Sequence, residues 1–310
     1  MTHSVYQQAA CLVALAALTV SAVVLQRSNR KTNHDGQQVT VQIKRGEATE
    51  TGPLGLVAKN PIAEDSIQYA SIRGRIVLKG DWTPLAPLIR KGDTTAKDAE
   101  VCACEDVPDE RLVVDPDTRG VRDVFVYLAP KQVHTLSYIH PTLNKPGPIE
   151  LHTKACRYTP HALIAQVGQQ INQVNDDALG HHLAIRSPRS RQFSAVVPSQ
   201  HEISSFSFRE PERCPILVVC DFHTWMKAYI LPLDHPYGAV TNANGEFLID
   251  KIPVGAHKLA IWHNGESAQR AMKIELPVDG IDFGDLSVTA DKNAIALTKD
   301  SDLKLQAITP

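Results

Sequence analysis

The chain has 310 residues, 43% of them hydrophobic, and a formal net charge of -2 from 32 basic and 34 acidic residues. This length accommodates two ordinary domains. The near balance of charge, with basic residues scattered along the chain, excludes an electrostatic nucleic-acid binder. Proline and glycine recur between runs of Val, Ile and Thr, which is typical of an all-β protein.

The N-terminus is dominated by an uninterrupted apolar run from Ala9 to Leu25. This run is longer than a typical signal-peptide core and just long enough for a membrane-spanning helix. We therefore expect an apolar helix in residues 1–26. It is either a cleaved signal peptide or a membrane anchor whose residues 9–25 lie in the membrane. Either alternative predicts export to the periplasm or the cell surface. The polar residues 27–67 have no sustained period, which indicates a linker.

The cysteines support export. Four remain beside Cys11 in the apolar run and Cys220, which is assigned below, and they are Cys102, Cys104, Cys156 and Cys214. The first two are too close in sequence to pair with each other. We therefore expect one or two disulfides from Cys102 or Cys104 to Cys156 or Cys214, formed in an oxidising compartment. Buried free thiols are the alternative.

Strand-like stretches follow the linker. The first begins at Ser71, and the second, Val121–Leu128, alternates in a way that predicts a strand with one buried face. Seven or eight short stretches between Pro148 and Pro232 fit a small Greek-key sandwich. Within that block only Thr224–Ala228 has the character of a helical turn.

The last patterned block begins with a hairpin turn at Asn242–Gly245, where Gly245 is expected to supply the positive φ. Strands are expected around Phe247–Ile249 and His257–Trp262. Because the pattern is then lost, residues 289–310 are predicted to form a tail.

The chemistry is concentrated in the motif Cys220-x2-His223-x2-Met226, which directly ends the apolar stretch PILVVC. A type 1 (blue) copper site needs one thiolate, two imidazoles and a weak axial ligand, usually a thioether. Three of these ligands commonly come from one loop, and the fourth comes from an earlier strand end. His181 supplies that fourth ligand. The sequence therefore predicts a single type 1 copper ion bound by His181, Cys220, His223 and Met226.

The order and spacing of these residues resemble those of cupredoxins, and the amicyanin-type loop is the most similar. In that family the first ligand commonly lies in the frame N-x-D-x-x-x-H-N. Asn175, Asp177 and His181 fit this frame, whereas His182 stands where the family has Asn. The spacing favours His181, and His182 stays open as the alternative ligand. As a non-ligand, His182 is expected to tie two loops together through a ring nitrogen.

A wider resemblance covers about residues 70–275. It is carried by ACRYTPHALIAQVGQQINQVNDD, CDFHTWMKAYI, DHPYGAVTNANGEF and AIWH. Together these segments look like the cupredoxin-plus-carboxypeptidase-regulatory-like proteins of planctomycete-type bacteria, often labelled methylamine-utilisation-like or plastocyanin-like. The role of that family is poorly defined, so the resemblance implies a fold and no reaction.

The carboxypeptidase-regulatory-like (transthyretin-type) module has a two-part pattern. Its second half resembles Thr241–Leu259, and its first half resembles Gly74–Gly80 together with Gly120–Leu128. The resemblance implies an outer β-sandwich made of residues 68–130 plus 233–288, with a cupredoxin domain, 131–232, inserted between its strands. Three sequential units are the alternative.

These features favour an exported copper protein for one-electron transfer with a redox partner protein, a cytochrome or an oxidoreductase. The imidazole edge of His223 is expected near the surface as the exit for electrons. H-x-H pairs and a second loop cysteine, which other copper centres need, are absent from the sequence, so we expect an electron carrier and not an enzyme. The alternatives are a copper-free interaction module at the cell surface and a protein for copper storage or delivery.

Overall fold

The structure is a computed structural model of the chain. It describes residues 67–130, 139–143, 146–189, 192–199, 203–291, 294–297 and 306–307. The expected apolar helix and nearly all of the linker lie outside these residues. Across the described ranges, no helix combines the length and hydropathy needed to cross a membrane. The described chain is all-β, as the sequence predicts.

The first part of the described chain contains two strands joined by a long connection. Strand β1 spans Tyr69–Leu78 and strand β2 spans Phe125–Leu128. Between them lies one helical turn, α1, at Ala99–Cys102. On either side of this turn, Ile89 and Val107 form an isolated antiparallel β-bridge.

The middle part contributes a 3-10 turn at Pro141–Leu143 and nine strands. The strands are β3 Ile149–Lys154, β4 Arg157–Thr159, β5 Ala162–Gln166, β6 Ile171–Asn175, β7 His181–Ile185, β8 Phe193–Val197, β9 Ile203–Phe206, β10 Ile216–Val219 and β11 Lys227–Leu233. The predicted helical turn at Thr224–Ala228 is wrong, because the chain leaves a loop there and enters β11 directly. Among the described residues, the turn of α-helix is α1.

The last part contributes seven strands. They are β12 Gly238–Val240, β13 Glu246–Pro253, β14 Gly255–His263, β15 Glu266–Leu276, β16 Ile281–Asp291, β17 Ala294–Leu297 and β18 Gln306–Ala307. The predicted tail at 289–310 therefore contains paired strands. Both β17 and β18 pair with β16, and Ile295 of β17 is 3% exposed within the core. Burial of the Ile295 side chain stabilises the pairing of the short strand β17 with β16.

The strands form four sheets that stack as successive layers. Sheet 1 has the order β13-β1-β16-β17, sheet 2 β12-β2-β14-β15, sheet 3 β5-β11-β10-β7-β8 and sheet 4 β4-β3-β6-β9. One buried cluster joins sheets 1 and 2, a second joins sheets 2 and 3, and a third joins sheets 3 and 4. Sheets 2 and 3 are therefore covered on both faces where they meet.

Strand β2 shows the consequence of this stacking. Its alternation was expected to bury one face, and the structure buries both. Val126 and Leu128 pack into the cluster between sheets 1 and 2. Phe125 and Tyr127 pack towards sheet 3, against residues such as Leu231. The two aromatic side chains fill the interface between sheets 2 and 3. The residues of β2 are all hydrophobic and alternate only in size, so the sequence does not show that both faces are buried.

The connectivity places β3 to β11 in sheets 3 and 4, between chain segments that both belong to sheets 1 and 2. We propose on this basis that residues 131–232 form a domain inserted between the two parts of an outer domain, 68–130 and 233–288. The return crossing is short, because β11 ends at Leu233 and β12 begins at Gly238.

Gly245 closes the turn before β13 and lies against the backbone of β1. Its φ is 77°, as the turn pattern predicts. The amide of Ile76 donates a hydrogen bond of 2.8 Å to the Gly245 carbonyl. A Cβ added at Gly245 would lie 2.3 Å from the Ile76 carbonyl oxygen, so this position needs glycine for both conformation and space.

We expect Gly245→Ala to lower the free energy of unfolding by about 3–5 kcal/mol, since it adds a backbone clash to left-handed strain. Gly168→Ala is the matched control, because Gly168 also has a positive φ of 82° but no atom within 4 Å of an added Cβ. Strain alone should cost that variant about 1 kcal/mol. Equal losses in urea denaturation of the two variants would contradict the proposed contact.

Candidate metal centre

Three buried side chains converge at one end of the sandwich made by sheets 3 and 4. A ring nitrogen of His181, the sulfur of Cys220 and a ring nitrogen of His223 all lie within 4.8 Å of one another. The distance from Cys220 Sγ to His223 Nδ1 is 3.7 Å. These residues are 0%, 1% and 1% exposed. The cluster is therefore a closed group of three potential metal ligands.

The register of two neighbouring strands brings His181 and Cys220 together. His181 is the first residue of β7, and Cys220 directly follows β10. The strands are antiparallel and pair Val219 with Ala184. The start of β7 and the end of β10 therefore lie at the same edge of sheet 3, and the alternation that buries Leu183 also buries His181.

The loop after β10 carries the other two predicted ligands. The Met226 amide donates a 2.9 Å hydrogen bond to the His223 carbonyl, and the Cys220 amide lies 3.4 Å from the Met226 carbonyl. These bonds close the loop before β11 starts at Lys227. Met226 is 2% exposed and belongs to the same buried cluster as Cys220. The structure thus places all four predicted residues at this end of the sandwich.

Each of the two histidines has a carboxylate at its Nε2. Asp177 Oδ2 lies 2.8 Å from Nε2 of His181, and Asp98 Oδ2 lies 2.9 Å from Nε2 of His223. An ionised carboxylate only accepts hydrogen bonds, so each Nε2 is the donor in its contact. In the part of the chain that the structure describes, the buried Nδ1 of His181 has no hydrogen-bond partner.

Asp177 is itself held in place. It accepts hydrogen bonds from the amides of Ala155, at 2.6 Å, and Cys156, at 2.9 Å, in addition to His181. Burial alone would raise the pKa of this carboxyl, but the bonds from His181 and the two amides outweigh burial and lower it. Asp177 therefore stays ionised and fixes the His181 ring.

Cys220 lies in surroundings that favour its thiolate. Burial would raise the pKa of the thiol, but the neighbouring His181 side chain and the amides of His182, His223 and Phe222 outweigh burial and lower it. The amide of His182 lies 3.4 Å from the sulfur. Because the thiolate is the form that binds metals, these contacts prepare the sulfur for ligation.

His182 points away from the cluster, because successive residues of β7 face opposite sides of sheet 3. Its Nε2 lies 2.8 Å from Ser194 Oγ on β8, and its Nδ1 lies 3.0 Å from Asp221 in the loop after β10. The structure thus brings His181, and not His182, to the sulfur by its side chain. His182 contacts the loop after β10 twice: its ring lies against Asp221, and its amide lies near the sulfur of Cys220.

A segment from the connection between β1 and β2 covers His223. It contributes Asp98 to the imidazole and is joined to the β3–β4 turn by the disulfide Cys102–Cys156. This disulfide is one of the pairings that the sequence allowed, while Cys104 is exposed and unbridged. The His223 edge was expected near the surface. The ring itself is buried, because this segment and Trp225, whose ring centroid lies 5.2 Å from that of His223, enclose it, while Asp98 at its Nε2 is 47% exposed.

Sequence reasoning missed two residues of the centre. Asp177 entered only as part of a spacing frame, although its position four residues before His181 is a usable signal for a carboxylate–histidine contact. Asp98 lies 125 residues from His223, and nothing in the local sequence marks it. It precedes α1 with a φ of 53°, a conformation that the residue type alone does not predict.

The donor set fits copper. A thiolate is a soft ligand, imidazole suits copper, and a thioether is the usual weak axial ligand of a blue site. The unpartnered, buried Nδ1 of His181 is the kind of orphaned atom that a bound ion satisfies. The carboxylate on each imidazole matches the arrangement that orients histidine ligands in metal sites.

Comparison with solved structures finds cupredoxins similar to part of the chain. A copper-containing nitrite reductase from Thermus scotoductus SA-01 is 20% identical over 28% of this chain and 23% of its own, with a TM-score of 0.25. A reduced Cu(I) form of an amicyanin mutant is 18% identical over 28% and 84%, with a TM-score of 0.25. A purple cupredoxin from Nitrosopumilus maritimus is 18% identical over 27% and 98%, with a TM-score of 0.23. No protein-family model and no curated protein matches the sequence.

We expect Asp177→Asn to lower the free energy of unfolding of the metal-free protein by about 3 kcal/mol, because an amide cannot accept all three hydrogen bonds. The pKa of Asp177 is lowered on folding, so its contribution is present above the pKa of an unfolded aspartate and is lost as the pH falls through the lowered value. Urea denaturation as a function of pH measures both effects.

Asp176→Asn is the control for this prediction. Asp176 is adjacent and bonds His152 at 2.7 Å, but its side chain is 25% exposed, so the loss should stay below about 1 kcal/mol. A pH dependence that remains unchanged in Asp177→Asn would contradict the role assigned to Asp177.

Proposed function

We propose that this protein is an exported mononuclear type 1 copper protein that transfers single electrons. The observation that carries the proposal is the convergence of His181, Cys220 and His223, with Met226 in the same buried loop. Copper, when bound, supplies a one-electron couple that this ligand set stabilises in both oxidation states. The protein residues hold the ligands in place, keep water out and favour the thiolate form of Cys220.

The burial of the ligands favours an electron carrier over an enzyme. His181, Cys220, His223 and Met226 are between 0% and 2% exposed, so a substrate reaches them only if the covering residues move. Electron transfer needs no such access. Burial also argues against copper delivery, since a partner that takes up the ion must reach its ligands.

The setting of the site supports export. A disulfide beside the centre, Cys102–Cys156, is typical of oxidising compartments, and we place the protein in the periplasm or at the cell surface on this ground. We propose a redox protein, a cytochrome or an oxidoreductase, as its partner. We also propose that the outer sandwich is a carboxypeptidase-regulatory-like module, on the sequence pattern around Thr241–Leu259.

The decisive experiment is titration of the purified full chain with Cu(II) in the visible range. We expect an intense thiolate-to-copper charge-transfer band at one equivalent, and its loss in Cys220→Ser, because the hydroxyl cannot replace a thiolate ligand. Cys104→Ser is the matched control, since that thiol is exposed and outside the disulfide. A wild-type chain that stays colourless with Cu(II) bound, or binds none, would sink the proposal.

The choice between the adjacent histidines has its own test. We expect His181→Asn to abolish the charge-transfer band, because it removes the buried imidazole, and His182→Asn to retain it, because the amide of residue 182 still reaches Cys220. Electron paramagnetic resonance of the Cu(II) forms checks the number of coordinated nitrogens. The opposite pattern in the two variants would show that His182 is the ligand.

A further inference from the structure

The connection between β1 and β2 sends one segment out of the outer sandwich and onto the metal centre. We call residues 88–107 the covering segment. Its ends pair through the Leu88 amide with the Val107 carbonyl, at 2.8 Å, and the Val107 amide with the Ile89 carbonyl, at 2.9 Å. The amide of Gly92 bonds the Ala103 carbonyl at 2.8 Å. The segment is therefore an ordered loop closed by its own hydrogen bonds.

The covering segment is fastened to the inserted sandwich in three ways. Four of its side chains, Ile89, Cys102, Ala103 and Val107, belong to the buried cluster that contains Cys220 and Met226. The disulfide Cys102–Cys156 joins it covalently to the turn before β4. Lys97 Nζ donates a 2.9 Å hydrogen bond to the Phe222 carbonyl in the ligand loop.

This fastening holds Asp98 against His223. The Asp98 carboxylate is 47% exposed, whereas the His223 side chain is 1% exposed, so the bond joins an outward-facing acid to an inward-facing ring. An ordinary surface pair of two long side chains is weak because both must be immobilised. Here the backbone on both sides is already fixed, by the disulfide on one side and the closed ligand loop on the other.

The bond decides which nitrogen of His223 carries the proton. An ionised carboxylate accepts from Nε2–H, which leaves the lone pair on Nδ1, the atom 3.7 Å from Cys220 Sγ. Without Asp98 the Nδ1–H tautomer becomes favourable, because that proton can point to the sulfur. A protonated Nδ1 cannot be a metal ligand.

We propose that Asp98 is a positioning residue of the metal centre: it selects the His223 tautomer that leaves Nδ1 free for the metal, and the Cys102–Cys156 disulfide keeps it in place. This inference deepens the proposed function and rests on it for the metal-loaded protein. Its tautomer claim concerns the metal-free protein and stands apart from the identity of the metal.

The first test is ¹⁵N NMR of the imidazoles in the metal-free full chain. We expect His223 to show a protonated Nε2 in the wild type, and a mixture or reversal of tautomers in Asp98→Asn, because an amide both donates and accepts. Glu100→Gln is the matched control, since it removes an exposed charge from α1 two residues away without touching His223. A protonated Nδ1 in the wild type, or an unchanged tautomer in Asp98→Asn, overturns the proposal.

The second test is the affinity for Cu(II), measured by competition with a chelator. We expect Asp98→Asn to bind about 10–100-fold more weakly, as is typical when a carboxylate behind a histidine ligand is lost, and Glu100→Gln to match the wild type. Equal weakening in both variants would mean a general charge effect and overturns the positioning role. If the wild type binds no copper, the proposed function fails. The tautomer claim is then decided by the NMR experiment on the metal-free chain alone.

The disulfide is tested by the double variant Cys102→Ser with Cys156→Ser. We expect the His223 tautomers to become mixed, as in Asp98→Asn, because the covering segment is no longer tethered. Should that variant not fold, reduction of the folded wild type with a phosphine, followed by the same NMR signals, gives the answer. Retention of the wild-type tautomer after reduction would overturn the role of the disulfide.

Discussion

The structure depends on a single constraint: two imidazoles and a thiol are buried together, and each polar atom among them needs a partner. Burial of such groups without partners costs several kcal/mol. Asp177 and Asp98 take the two Nε2 atoms, and amides of the ligand loop and of β7 support the sulfur. What remains are the unpartnered Nδ1 of His181, the Nδ1 of His223 and the sulfur of Cys220, a set of donor atoms that a metal ion would complete.

The sequence predicted the part of this arrangement that depends on local spacing. Cys220, His223 and Met226 lie within one loop, so their spacing alone indicates a shared site. His181 was found because a strand end has a recognisable frame. Asp98 could not be found, because its approach to His223 depends on a disulfide and on packing across 125 residues. For the same reason the sequence did not indicate that a segment of the connection between β1 and β2 covers the His223 ring.

For the fold, too, local features could be predicted from the sequence and long-range packing could not. The turn at Gly245 and most strands were predictable, because turn chemistry and alternation are local signals. Burial of both faces of β2 was not, since it depends on sheet 3 packing against Phe125 and Tyr127. Strand β17 was missed because a four-residue strand has too few residues to show a period, and Ile295 is ordered by the core that it enters.

The sandwich of sheets 3 and 4 is continuous in sequence but incomplete as a physical unit. Residues 131–232 alone would expose Ala162 and Leu231, which pack on sheet 2, and would lose both Cys102 and Asp98. The rest of the described chain therefore contributes an apolar face, a covalent tether and the partner of His223. Cys102 and Asp98 are far in sequence from Cys220 and His223, so the candidate metal centre depends on the connection between β1 and β2 as well as on sheets 3 and 4.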